Sequence, residues 1–172
     1  SLIGARGVDI LNACVFSNHW ENDIRNQLKI EDIRSIKSEI WDMTGFDKID
    51  FARDLVFCWT GTTNGISVNQ TDWIPEDREG LTICDAASAV FCSKLDWAKL
   101  DATAFSWQKG LGGEAGIGTI VLSPRAMQRL TEFLPNRPMP RIYRLAENGN
   151  INYGIFDGKT INTPSMMIIE DF

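Results

Sequence analysis

Histidine and paired cysteines are scarce in this sequence. His19 is the single histidine, and the four cysteines (Cys14, Cys58, Cys84 and Cys92) include no Cys-x-x-Cys pair. Zinc sites need clustered thiolates and imidazoles at close spacing, so no metal centre is expected. Three of the cysteines lie in apolar stretches, where a thiol behaves as a small hydrophobe. A reduced, cytoplasmic chain is the matching expectation. No apolar run approaches the ~20 residues that span a bilayer, so no membrane partner is expected. The opening Ser1-Leu2-Ile3-Gly4-Ala5-Arg6-Gly7 lacks the basic, apolar and small-residue order of a signal peptide. Positive charge is also in short supply. Lys and Arg total 17 against 23 Asp and Glu, a net charge of −6. A nucleic-acid binder needs the opposite balance to displace counterions.

What remains is ordinary globular material. The 172 residues are 44% hydrophobic and 23% charged, enough for one domain, or a large piece of one, with a core that needs no disulfide. The chain has no initiator Met, and Met166–Phe172 stops inside an apolar pattern, so a piece of a longer protein is expected.

Short apolar runs alternate with helical patterns. Strands are expected at 54–59, 81–84, 102–106 and 118–122. Helices are expected at 20–28 behind a cap at Asn18, at 86–94 behind Asp85, and from Ser123-Pro124 to about Phe133, with Met127, Leu130 and Leu134 on one stripe. Continuous apolar strands separated by helices indicate an α/β three-layer sandwich with a mostly parallel sheet. The last two strands form a hairpin around a glycine-rich loop, which makes the sheet mixed. Pro135–Pro140 reads as an extended connector, and 147–150 as a turn between two short strands.

Three strand ends carry chemistry. Ser106-Trp-Gln-Lys109-Gly-Leu-Gly-Gly-Glu114 sets a lysine beside a flexible glycine loop. Its glycines follow the lysine, which excludes a Walker A loop. The loop runs into a strand, which is the wrong setting for a dinucleotide fingerprint. Asp85 ends the second strand, and Trp59-Thr-Gly-Thr62-Thr-Asn-Gly65 follows the first. Taken singly, these features equally suit a surface lysine, a helix N-cap and an ordinary turn. Together they offer an amine, an acid and hydroxyls at one sheet edge. That set suits pyridoxal phosphate, with a lysine for the aldehyde and an acid for the ring nitrogen.

The motifs Cys84-Asp-Ala-Ala-Ser-Ala89, Phe105-Ser-Trp-Gln-Lys109, Gly154-Ile-Phe-Asp-Gly158 and Ile161-Asn-Thr-Pro-Ser-Met166 resemble the phosphoserine aminotransferases, class V members of the fold-type I pyridoxal-phosphate enzymes. The resemblance runs from Gly4-Ala-Arg-Gly-Val-Asp9 to Glu170-Asp171. It implies that 1–172 is part of the cofactor-binding large domain, without the preceding segment and the following small domain. It implies transamination between O-phosphoserine and 2-oxoglutarate, with glutamate as the partner amino acid, in serine biosynthesis. Lys109 is then the Schiff-base lysine and Asp85 the partner of the pyridine nitrogen. Trp20 stacks on the ring, Thr62 lies near the phenolic oxygen, and Gln108 binds the cofactor phosphate. Asn162 and Thr163 reach the cofactor phosphate of a neighbouring subunit, which implies a homodimer. His19 receives no role, and Arg137, Arg141 and Arg144 are assigned to a solvated face. Two further readings stand beside this one: a segment that folds and associates without turnover, and another class V enzyme such as a serine– or alanine–glyoxylate aminotransferase. A cysteine desulfurase would need a mobile cysteine and a histidine over the ring, and His19 does not occupy that motif.

Overall fold

The computed structural model describes residues 1–38 and 45–170. The last two residues of the apolar 166–172 run, including Asp171 at the end of the family resemblance, lie outside the described residues. One sheet contains β1 (Val8–Asn12), β2 (Ile33–Lys37), β3 (Asp54–Cys58), β4 (Thr82–Asp85), β5 (Ala102–Ser106) and β6 (Gly118–Leu122), in the order β2-β1-β3-β4-β5-β6. Neighbours pair parallel except β5 and β6, which form an antiparallel hairpin with Ser106 opposite Gly118. The mixed, mostly parallel sheet expected from the sequence is therefore present. The chain leaves β1 toward β2 on one side and returns to β3 on the other. In α/β sheets such a switch point opens a crevice at the carboxyl ends of the strands.

Period-two alternation sorts the side chains. Val8, Ile10 and Val56 pack with Ile24 of α1 (Val15–Asn26), and Ile83 joins them at the rim. Ile83 also borders a cluster of Leu81, Ala102, Ala126 and Leu130, the last two from α2 (Pro124–Glu132). Both helices thus cover the same side of the sheet. Leu11, Leu55, Phe57 and Cys84 face the other way, into a cluster with Trp59, Ile74, Val90 and Leu100. Loops cover that second face, with a Phe46–Trp73 stack at 4.2 Å between ring centres.

Local signals explain several boundaries. Ser123 Oγ accepts from Ala126 N and Pro124 opens α2, as the cap rule requires. A tight turn joins β7 (Ala146–Glu147) to β8 (Asn150–Ile151), with Asn148 and Gly149 both at positive φ, the hairpin geometry those residues favour. A short α3 (Met166–Glu170) follows.

Two strands, β1 and β2, were unsignalled, and three expectations need correction. Asp9 interrupts the apolar run of β1, and β2 is an edge strand with one buried residue, Ile36. First, α1 starts at Val15, and Asn18 lies inside it. Ser17 Oγ accepts from Cys14 N at 2.9 Å and from Ala13 N at 3.0 Å, which nucleates the helix earlier. Second, residues 86–94 form successive turns instead of a helix. Phe91 takes φ 68° there and sets its ring edge-on to Phe105. An L-residue in that region ends a right-handed helix. Third, α2 stops at Glu132, so Leu134 leaves the stripe and is exposed.

Candidate active site

The parallel strands β1, β3, β4 and β5 end on one edge, and the pairing of Cys58 with Asp85 and Asp85 with Ala104 aligns their ends. Backbone bonds lock that edge: Trp59 N donates to Asp85 O at 2.8 Å, and Ala86 N to Ala104 O at 2.9 Å. Four segments meet there: the β1–α1 connection, the turn after β3, the turn after β4 and the hairpin loop after β5. Asn64 Nδ2 ties the second to the first by donating to Ala13 O at 2.8 Å. Thr60 Oγ1 and Ser88 Oγ, 2.8 Å apart, tie the second to the third.

Asp85 stands at the centre of this edge. Alternation puts it on the same side as Ile83, the side that α1 covers. Its Oδ1 accepts from Ala87 N at 2.9 Å and its Oδ2 from Trp20 Nε1 at 2.9 Å. The acid therefore makes a local turn bond, as a cap would, and also reaches across to the helix. An ionised carboxylate has about four acceptor positions, so two remain open.

Lys109 follows β5 in a tight turn. Gly112 N donates to Lys109 O at 2.9 Å, and Gly113 N to Trp107 O at 3.0 Å, with Gly112 at φ 79°. Trp107 Nε1 donates to Thr119 Oγ1 at 2.9 Å and holds the loop onto β6. The Lys109 side chain is exposed and makes no hydrogen bond or ion pair among the described residues. Gln108, next to it, is also exposed, as is Thr62 in the turn after β3. Among the seven site residues expected from the sequence, a direct bond joins only Trp20 and Asp85. Thr62, Gln108 and Lys109 share their edge. Asn162 and Thr163 lie in an exposed segment before α3, and no hydrogen bond among the described residues links them to that edge.

Sulfur chemistry at the edge was not anticipated. Cys14 caps α1 and is buried beside Cys58. The Cys58 thiol and the Ser17 hydroxyl and N–H favour the Cys14 thiolate, pulling its pKa from 9.0 down to about 5. The neighbouring Cys14 and burial push the Cys58 thiol up instead. Contact between positions 14 and 58 depends on β1 lying beside β3, which no local pattern encodes.

His19 sits edge-on to Phe16 at 5.8 Å between ring centres. Arg137 corrects the solvated-face assignment. It is half-buried, donates to Ile3 O at 2.7 Å, and lines a cavity of about 590 Å³ with Gly7 and Asp32. Gly7 and Asp32 precede β1 and β2, so that cavity lies at the opposite edge of the sheet. Arg144 bonds Met139 O and Glu147 on the surface.

The donor set at the carboxyl edge fits pyridoxal phosphate: an acid with open acceptor positions, an exposed amine with no partner among the described residues, an indole and several hydroxyls. The family described as aminotransferase class V matches residues 27–167. A phosphoserine aminotransferase of Methanosarcina barkeri is 51% identical over 172 residues, which is all of this chain and 46% of that protein. The chain thus spans about half the length of the curated relatives it matches. Among solved structures, an alanine–glyoxylate aminotransferase from Nostoc superposes with a TM-score of 0.66 at 15% identity, covering 96% of this chain and 45% of that one. A phosphoserine aminotransferase from Cytophaga hutchinsonii superposes at 0.61 with 23% identity, covering 74% and 36%. At those identities the structures speak for the fold alone.

Proposed function

The chain belongs to the class V aminotransferases, and from that premise we propose that it carries the cofactor-binding core of a phosphoserine aminotransferase. The reaction passes an amino group between O-phosphoserine and 2-oxoglutarate, in the serine-forming direction or its reverse. The carrying observation is Asp85, held at a strand end by Trp20 and Ala87, on the edge that also presents Lys109. Identity of 51% along the whole chain favours phosphoserine over the glyoxylate-using members of the class.

Pyridoxal phosphate, when bound, supplies an electron sink for charge developing at the substrate α-carbon. Lys109 Nζ anchors it and moves the α-proton, positioned acid–base work typically worth ~10²–10⁴-fold. Lysine suits this task because its amine can lose a proton on desolvation, which arginine cannot readily do. Asp85 holds the ring nitrogen in its charged form, and asparagine there would keep the size and remove the charge. Trp20 covers the ring and excludes water. Thr62 Oγ1 binds the phenolic oxygen and Gln108 the phosphate. Asn162 and Thr163, exposed in their own chain, reach the cofactor phosphate of a second copy, so the working form is a cytoplasmic homodimer.

Borohydride trapping in the presence of pyridoxal phosphate, read by peptide mass spectrometry, tests the assignment. The adduct is expected on Lys109; recovery elsewhere, or nowhere, rejects it. Sedimentation as a strict monomer would remove the role of Asn162 and Thr163. Assays with phosphoserine plus 2-oxoglutarate, against alanine or serine plus glyoxylate, separate the substrate readings. A chain that traps the cofactor without turning over either pair is a binding core that needs the rest of the protein.

A further inference from the structure

We propose that Trp20 is the positioning residue for Asp85: its indole N–H fixes the carboxylate's aim before any cofactor arrives, a role separate from ring stacking. The inference rests on the cofactor reading above and adds a polar function to an aromatic residue.

The geometry has three parts. Ile24 is buried against Val8, Ile10 and Val56, so that face of α1 is pinned to the sheet. Trp20 lies one helical turn before Ile24 on the same face, with its body against the same cluster. This carries the indole to the carboxyl end of the strands. There Nε1 meets Asp85 Oδ2 at 2.9 Å while Ala87 N meets Oδ1 at 2.9 Å. One donor comes from the acid's own turn and one from a separate element.

A carboxylate held by a single N–H can still rotate about its Cβ–Cγ bond. Two donors on different oxygens remove that freedom and leave the remaining acceptor positions in fixed directions. Preorganisation of this kind works when the supporting group is itself locked by packing, as Ile24 locks α1. A half-buried indole N–H also needs an acceptor, and Asp85 supplies it.

Phenylalanine at position 20 separates the two roles, because it keeps an apolar ring and removes the N–H. In the ¹⁵N-labelled chain without cofactor, the indole cross-peak that vanishes in Trp20→Phe belongs to Trp20. It should shift in Asp85→Asn; an unmoved peak overturns the proposal without touching the cofactor reading. In titrations with pyridoxal phosphate, Trp20→Phe should bind about tenfold more weakly than the parent, the size of one hydrogen bond to a charged group. The double variant Trp20→Phe/Asp85→Asn should bind no more weakly than Asp85→Asn alone. Phenylalanine binding like tryptophan, or fully additive losses, overturns the proposal and leaves stacking as the sole role. A parent chain that takes up no pyridoxal phosphate rejects the cofactor reading and this role with it, whatever the indole peak shows.

Discussion

Replacing Asp9 by asparagine would probe the largest unanticipated feature of the fold, a carboxylate buried in the middle of β1. Its side chain has no solvent exposure, yet it carries a charge network. Arg34 binds both oxygens, with Nε at 2.8 Å from Oδ1; Arg53 Nε lies at 2.7 Å and Asp50 N at 2.9 Å. Burial alone would raise the Asp9 pKa. The Arg34 bonds, the Asp50 N–H and Arg53 outweigh it and hold the carboxyl below its usual range. Breaking a buried ion pair typically costs ~3–5 kcal/mol. Two details favour the lower end. Arg34 is 47% exposed and returns to water, and Arg53 keeps Asp32 at 2.8 Å as a second partner. A loss of about 3 kcal/mol, divided by a urea slope of ~1–3 kcal/mol per molar, lowers the midpoint by about 1–3 M with the slope unchanged. The pH dependence has a definite sign. A carboxyl with a depressed folded pKa stabilises above its unfolded value near 4, and the stability is lost as pH falls through the folded one. Asparagine should therefore flatten the acid limb of the stability curve below about pH 4. Equal urea midpoints and superimposable acid limbs would refute the account of Asp9 as a net stabiliser.

A Cβ on Gly110 would strike Val90 O and come within 2.7 Å of Cys92 Sγ. Gly110→Ala should thus displace the Lys109 loop and reduce borohydride trapping at Lys109 while the melting temperature moves little. The Cys14 thiol should titrate near pH 5, read as an ultraviolet thiolate band present at pH 7 and missing in Cys14→Ser. Ser123 Oγ caps α2 and donates to Asp101 Oδ1 at 2.7 Å, so Ser123→Ala should cost about 1–2 kcal/mol in chemical denaturation.

Local chemistry was legible where a residue acts on its own neighbours. Ser123-Pro124 opened a helix, Asn148-Gly149 closed a hairpin, and continuous apolar runs became the interior strands β3 and β5. The strand-end positions of Asp85, Thr62 and Lys109 followed from the same runs. The β1 strand was not legible, because an acid in a strand looks disruptive until Arg34 and Arg53 arrive from 25 and 44 positions away. The successive turns at 86–94 were not legible either, since their helical composition gives no sign that Phe91 will take a left-handed backbone to meet Phe105.

Sequence alone determined the class of chemistry at one sheet edge: an amine, an acid and hydroxyls, each at the end of an apolar strand. Only the tertiary structure decided which of them touch. Strand order set β1 beside β3, and the packing of Ile24 drew the Trp20 indole onto Asp85. The physical reason is that caps and turns depend on bonds spanning a few residues. Strand order and cross-sheet contacts depend on burial summed over elements far apart in the chain, which no local stretch records.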